Sequence, residues 1–174
     1  MSILQKIANK FKGNGCEKLV QVNGQDLKIN LGLEGGGVKF NIGEFSSQIK
    51  KLVEVPQISL DLDNTQYLLC QTISNMKGHS ELKNNSIAIR LQLILAFNQL
   101  ASLLTSIKEE PSEDLKMQLS QWLRFMEDLH KHSITTLDPS KKTTTKCSMP
   151  LDEIRKYQGI KDNELKDAVK EYSE

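Results

Sequence analysis

Residues 87–107 are the most apolar stretch of the sequence, and any fold has to cover them. Their apolar side chains fall on almost every side of a helix; these are Ile87, Ile89, Leu91, Leu93, Ile94, Leu95, Phe97, Leu100, Leu103, Leu104 and Ile107. A helix that is apolar on most sides is buried by other elements of its domain. Polar residues such as Arg90 and Gln92 interrupt the stretch, which makes it a poor transmembrane span. We therefore predict a central buried helix over residues 86–107.

Two amphipathic helices are predicted beside the central one. Asp61 or Asp63 can cap a helix over residues 63–75, because aspartate accepts hydrogen bonds from the free N–H groups of a first turn. Ser112 can cap another helix over residues 112–131, where the acidic residues that follow favour the positive end of the helix dipole. The apolar stripe of that helix is Leu115, Leu119, Trp122, Leu123, Met126 and Leu129. Together the three helices predict a bundle.

A three-stranded antiparallel meander is predicted ahead of the bundle, over residues 18–43. Apolar and polar residues alternate on both sides of three consecutive glycines, which is typical of a hairpin. The dipeptide Asn23-Gly24 predicts a type I′ turn between the first two strands. A sheet this small needs a cover over its apolar face. A short helix that ends at Val55-Pro56 is predicted to supply part of it, through Phe45, Ile49, Leu52 and Val53.

The chain is expected to fold as one α+β domain with an appendage at each end. Its 174 residues fit a single domain. The predicted core spans residues 16–137, where the meander packs with the three-helix bundle. An amphipathic segment covers residues 1–13, a polar linker covers residues 138–148, and a helical tail covers residues 149–174.

The charge distribution argues against a nucleic-acid-binding protein. The formal net charge is +1, and only 5% of the residues are aromatic. By region the charge is +3 over residues 1–58, −2 over residues 59–137 and neutral over residues 138–174. A nucleic-acid interface needs a basic face, often with aromatic side chains between the charges. We predict no specific nucleic-acid partner.

Both ends of the chain carry short amphipathic segments that are too short to be stable helices alone. They must pack on their own domain or dock on something else, and we predict docking on a protein partner or a second copy of the chain. The candidate interaction residues are Ile3, Leu4, Ile7, Phe11, Ile154, Tyr157, Leu165 and Val169. Because lysines surround the first face, residues 1–12 could alternatively anchor the protein to a membrane surface.

The cysteines predict a cytoplasmic protein with free thiols. Cys16, Cys70 and Cys147 are odd in number and widely spaced, which is not typical of a disulfide framework. Cys70 is expected to behave as a small buried hydrophobe. The first residues lack the apolar core and the cleavage site of a signal peptide.

No motif in the sequence predicts catalysis, a metal or a cofactor. The glycine-rich segment before Val38 lacks the GK[ST] of a phosphate-binding loop, and neither G-x-G-x-x-G nor GxSxG occurs. His130 and His132 lie two residues apart on a predicted helix, so they point in different directions and cannot share a metal while helical; an extended His-x-His segment could do so with Glu127 or Asp128. An enzyme with an unrecognised site remains the alternative to an interaction protein.

One segment of the chain carries a family resemblance. The run from Leu60 to Cys70, LDLDNTQYLLC, followed by the apolar helix Ile87–Ile107, resembles helical effector-associated or adaptor regions of bacterial conflict and signalling systems. The resemblance covers roughly residues 60–107 and implies contact with an effector or a nucleotide-dependent partner. We therefore predict a non-enzymatic interaction module, an adaptor or subunit of a bacterial defence or signalling assembly.

Overall fold

A computed structural model of the protein describes residues 1–13, 15–31, 33, 37–50, 55–137 and 151–174. The predicted linker over residues 138–148, and Leu52 and Val53 of the predicted cover, lie outside the described residues. The elements in chain order are α1 (Ile3–Phe11), β1 (Val20–Asn23), β2 (Asp26–Ile29), β3 (Val38–Asn41), a 3₁₀ turn (Ile42–Glu44), α2 (Ser47–Lys50), α3 (Val55–Asn75), α4 (Glu81–Glu109), α5 (Glu113–Leu137), α6 (Leu151–Tyr157) and α7 (Asp162–Ser173).

The predicted α+β class is confirmed, with a small antiparallel sheet beside helices. The strand order is β1-β2-β3, and both neighbouring pairs are antiparallel. Leu27 of β2 lies opposite Phe40 of β3, and both side chains are buried. At the first turn Gly24 has a φ of +62°, while no described residue other than glycine has a positive φ. One positive φ at the first position is typical of a type II′ turn, so the predicted type I′ turn is wrong.

The predicted start of the first bundle helix is also wrong, because α3 begins at Val55. Pro56 lies in its first turn, where a missing N–H breaks no intrahelical hydrogen bond. Val55-Pro56 therefore starts a helix instead of ending one. Asp63 is not a cap: its buried carboxylate accepts hydrogen bonds from the Leu19 amide at 2.8 Å and from Gln66 Nε2 at 2.9 Å. It joins the segment before β1 to the middle of α3.

The caps of the other two bundle helices show how local sequence sets their starts. Ser112 Oγ accepts a hydrogen bond from the Leu115 amide at 3.1 Å, as expected for the cap of α5. Ser80 Oγ accepts from the Lys83 amide at 3.1 Å, so α4 begins before the predicted residue 86. A serine side chain at this position satisfies one of the free N–H groups of the first turn.

The central helix α4 is buried as predicted. It contacts α1, α3, α5 and α7, and Leu91, Ile94, Phe97, Leu100 and Leu104 have no exposed surface. By length and composition alone α4 is apolar enough to cross a membrane, yet most of that stretch is covered by other elements of the chain. The core of the protein forms around this helix.

The cysteine prediction is wrong, because Cys16 and Cys70 form a disulfide. Their Cα atoms lie 5.7 Å apart, within the normal range for a bridge. Cys70 is buried on α3, and Cys16 is partly exposed in the segment that follows α1. The wide spacing along the sequence gave no signal for this pair, which forms because the fold brings the segment after α1 next to α3.

Candidate functional site

The two predicted docking segments are largely covered inside the protein. Leu4, Ile7 and Phe11 of α1 are buried, and so are Ile154 of α6 and Leu165 of α7. Helix α1 packs against α7 and α4, so part of the N-terminal set meets part of the C-terminal set. In this conformation other elements of the chain cover these side chains, which do not form an open docking face.

Three members of the predicted set keep some exposed surface. Ile3 is 45% exposed and Tyr157 is 44% exposed. Val169 is partly buried and packs against the hydrophobic core. Docking through Ile3 and Tyr157 stays a prediction.

The main candidate site is a groove of about 630 Å³ between the start of α4, α6 and α7. We call it the α4–α6–α7 groove. Ala88, Leu165 and Val169 supply its apolar floor. The polar side chains around that floor are His79, Asn84, Asn85, Asp152, Arg155, Asp162, Lys166, Lys170, Ser173 and Glu174.

The charges of this groove are unequally paired. Arg155 Nη1 lies 3.5 Å from the Asp152 carboxylate and also forms an ion pair with Asp162, so one guanidinium serves both acids. Lys166 and Lys170 lie one turn apart on α7 and are exposed. Within the described ranges neither lysine has an ion-pair partner. Two ammonium groups on one wall are therefore available to acids of a bound molecule.

Aromatic stacking fixes the α6 wall of the groove. The Tyr157 ring lies 4.6 Å from the Phe125 ring and 5.7 Å from the Trp122 ring, both on α5. The Gln158 side chain donates a hydrogen bond to the Gln92 carbonyl of α4 at 3.0 Å. Tyr157 thus positions α6 against the bundle, although its amphipathic spacing predicted a docking role.

Arg90 is a second unusual residue, which sequence reasoning treated only as an interruption of the apolar stretch. It is 1% exposed, and its guanidinium lies between the rings of Phe11 at 5.4 Å and Tyr172 at 5.7 Å. Nη1 donates a hydrogen bond to the Tyr172 hydroxyl at 3.2 Å. No acidic residue of the described chain forms an ion pair with it. Burial lowers the pKa of Arg90 from its ordinary value.

A smaller cleft of about 330 Å³ lies between α3 and α5, beside His130. Thr65 Oγ1 lies 3.0 Å from the Asp61 carbonyl oxygen and 2.9 Å from His130 Nδ1, so the hydroxyl joins His130 of α5 to α3. Burial lowers the pKa of His130, against the opposing effects of Asp61 and Glu127. In the part of the chain that the structure describes, no group of three histidine, cysteine or acidic residues could hold a metal.

The lowered pKa values of two histidines lead to an expectation for how stability depends on pH. Burial lowers the pKa of both His130 and His132 below the ordinary value, so the unfolded chain binds protons more readily than the folded one. Their contribution is constant above about pH 6.5, and stability falls as the pH drops below that value. We expect the urea midpoint to fall between about pH 7 and pH 5.5, and to fall less in His130→Gln.

The matched control for this measurement is His79→Gln, which removes an exposed histidine. Comparing the two variants separates the effect of the α3–α5 cleft from the general loss of one imidazole. A midpoint that is flat or rises over this pH range would contradict the expectation.

Comparisons with known proteins add no relative to this picture. No family model, no curated protein and no solved structure matches the chain. The resemblance of residues 60–107 to bacterial adaptor regions therefore stays a prediction. The function has to be argued from the groove and the helices that form it.

Proposed function

We propose that the protein is a non-enzymatic interaction module that binds an acidic, apolar segment of a partner protein in the α4–α6–α7 groove. The observation that carries the proposal is the pair Lys166 and Lys170, exposed and without ion-pair partners in the described chain, beside an apolar floor. In this role the protein acts as an adaptor or subunit of a bacterial defence or signalling assembly, as the resemblance implies.

The groove offers three kinds of contact to an extended segment. An apolar side chain can lie on Ala88 and Val169, and its burial supplies the non-directional part of the affinity. Exposed amides of Asn84 and Asn85 can donate to and accept from a peptide backbone. Acidic side chains of the partner meet Lys166 and Lys170, which favours encounter and fixes orientation.

The proposal moves the docking surface from the inner faces of the terminal helices to the outer side of α7. Leu165 and Val169 keep a role from the predicted set, because they form the floor of the groove. A membrane anchor over residues 1–12 would require α1 to leave its packing, since Leu4, Ile7 and Phe11 are covered. That alternative and the enzyme alternative stay predictions.

A synthetic peptide tests the proposal directly. The probe is a fluorescein-labelled peptide of alternating glutamate and leucine, and fluorescence anisotropy measures its binding. We expect Lys166→Glu/Lys170→Glu to weaken binding by about tenfold or more, because both attractive contacts become repulsive. Added salt should weaken the binding of the unmodified protein, since the charges are exposed.

The matched control is Lys28→Glu/Lys156→Glu, which reverses two exposed charges outside the groove. It changes the net charge by the same amount and should leave most of the affinity intact. Equal weakening in both double variants would show a general charge effect and overturn the proposal. Failure of the unmodified protein to bind the peptide below about 1 mM would overturn it as well.

A further inference from the structure

We infer that the Cys16–Cys70 disulfide is a reducible latch that holds α1, and through α1 the α7 wall of the α4–α6–α7 groove. Reduction of the disulfide by a dithiol would loosen α1 and α7 and lower the affinity of the groove for its partner. The effect on partner binding rests on the proposed function, whereas the loosening itself does not.

The latch joins the end of the α1 layer to the bundle. Cys16 lies shortly after α1, and Cys70 lies on α3, 54 residues further along the chain. Between α1 and the disulfide, Lys12 forms an ion pair with Glu171 of α7 at 3.2 Å. Helix α7 also carries Lys166, Lys170 and two of the three floor residues of the groove, Leu165 and Val169. One covalent bond thus restrains a segment that contacts the groove wall directly.

Besides the disulfide, the layer formed by α1 and α7 is held mainly by apolar packing against the core. A helix of nine residues is not stable alone in water. The Lys12–Glu171 pair leaves about a third of each side chain exposed, and pairs of this kind contribute little. Beneath the layer lies the buried guanidinium of Arg90, which must be desolvated whenever α1 and α7 close over it. The disulfide adds a covalent constraint to this packing, and reduction removes that constraint without removing the apolar contacts.

Of the two cysteines in the latch, Cys16 is the one nearer to solvent. Cys16 is partly exposed, while Cys70 is only 2% exposed. A cavity of about 280 Å³ lies alongside, lined in part by Gly13, Gly15 and Ser74. Ser74 Oγ is 4.0 Å from Cys16 Sγ, so the cavity borders the disulfide through Ser74.

The chemistry is an ordinary thiol–disulfide exchange with a dithiol as the reductant. Its thiolate attacks Cys16 Sγ, the Cys16–Cys70 bond breaks, and Cys70 leaves as a thiolate that takes up a proton. The second thiol of the reductant, as its thiolate, then attacks the mixed disulfide and releases Cys16, which is protonated in turn. The products are two protein thiols and one oxidised dithiol, with two electrons transferred.

Hydrogen exchange measured by mass spectrometry tests the latch in the full chain. Cys147→Ser serves as the background, so that only one pair of thiols remains, and dithiothreitol is the reductant. We expect reduction to speed amide exchange in α1 and α7 by about 30-fold or more, while α5 changes little. Cys16→Ser should exchange rapidly in these helices without reductant and should not respond to it.

Two results would overturn the latch. One is exchange in α1 and α7 that stays within about twofold after mass spectrometry has confirmed both thiols. The other is an equal increase in α5, which would show that the disulfide stabilises the whole domain without acting on one layer.

The glutamate–leucine peptide separates this inference from the proposed function. We expect reduction to weaken peptide binding by about tenfold, because α7 supplies both lysines and two of the three floor residues. If α1 and α7 loosen while the peptide binds both forms equally, the latch does not control the groove and the inference fails. If the peptide binds neither form, the proposed function fails, and the exchange data alone decide whether the latch exists.

Discussion

Phe97→Ala is expected to lower the free energy of unfolding by about 3–5 kcal/mol, the largest single effect we predict. Phe97 lies in the middle of α4 and has no exposed surface. Truncation removes its transfer free energy and leaves a cavity between helices that can only partly close. Urea denaturation measures the change, with far-ultraviolet circular dichroism as the signal because it reports helix content.

Two further variants make this result interpretable. Met117→Ala truncates a side chain that is 60% exposed, and it should change stability by less than about 0.5 kcal/mol. Ile94→Val removes one buried methyl group from the same helix and should cost about 0.5–1.5 kcal/mol, which stays measurable if Phe97→Ala does not fold. A cost below about 1 kcal/mol for Phe97→Ala would contradict the central position of α4.

The central helix and the sheet could be predicted because their patterns have one physical interpretation. A helix with apolar side chains on nearly every side can only be stable when other elements cover it, and α4 is covered. Alternating residues on both sides of a glycine turn likewise leave few choices besides a hairpin. Burial of α4, and of alternate strand residues such as Leu27 and Phe40, follows from the residue pattern of each segment alone.

Helix starts were harder to predict because neighbouring signals compete. Asp61 and Asp63 both have the chemistry of a cap, yet the helix begins earlier, at Val55. Pro56 can end one helix or start the next, and only the surrounding packing decides between the two. Asp63 instead accepts hydrogen bonds from Leu19 and Gln66, and these contacts depend on the tertiary fold.

The candidate site was largely beyond sequence reasoning because it depends on which distant segments meet. The pattern of α1 and α7 correctly indicated faces that need a cover, but it could not show that these helices cover each other. The Cys16–Cys70 bridge joins residues 54 positions apart, and the spacing itself carries no signal for the pairing. The groove lysines are ordinary surface residues until α4 and α6 are placed beside them.

Arg90 is the clearest case of a residue whose surroundings the sequence could not show. It is also the subject of the second large prediction. Arg90→Met is expected to raise the free energy of unfolding by about 1–2 kcal/mol, because a buried cation without an acidic partner is replaced by an unbranched apolar side chain. The two ring contacts contribute about 1 kcal/mol each, and the hydrogen bond to Tyr172 contributes about 1.5–3 kcal/mol. Desolvation of the guanidinium costs several kcal/mol, and Nε has no hydrogen-bond partner in the described structure.

Methionine keeps most of the packing while it removes this cost. Its thioether can contact the rings of Phe11 and Tyr172, and the partly exposed Tyr172 can turn its hydroxyl to water. Arg90→Ala is the matched control, because it removes the charge together with the buried stem and should lower stability by about 2–5 kcal/mol. The urea midpoints of both variants therefore separate the effect of the Arg90 charge on stability from the effect of its side-chain volume. The opposite result would be a free energy of unfolding more than about 1 kcal/mol lower in Arg90→Met than in the unmodified protein. The contacts of Arg90 with the two rings and the Tyr172 hydroxyl would then outweigh its desolvation cost, and Arg90 itself would hold α1 and α7 in place.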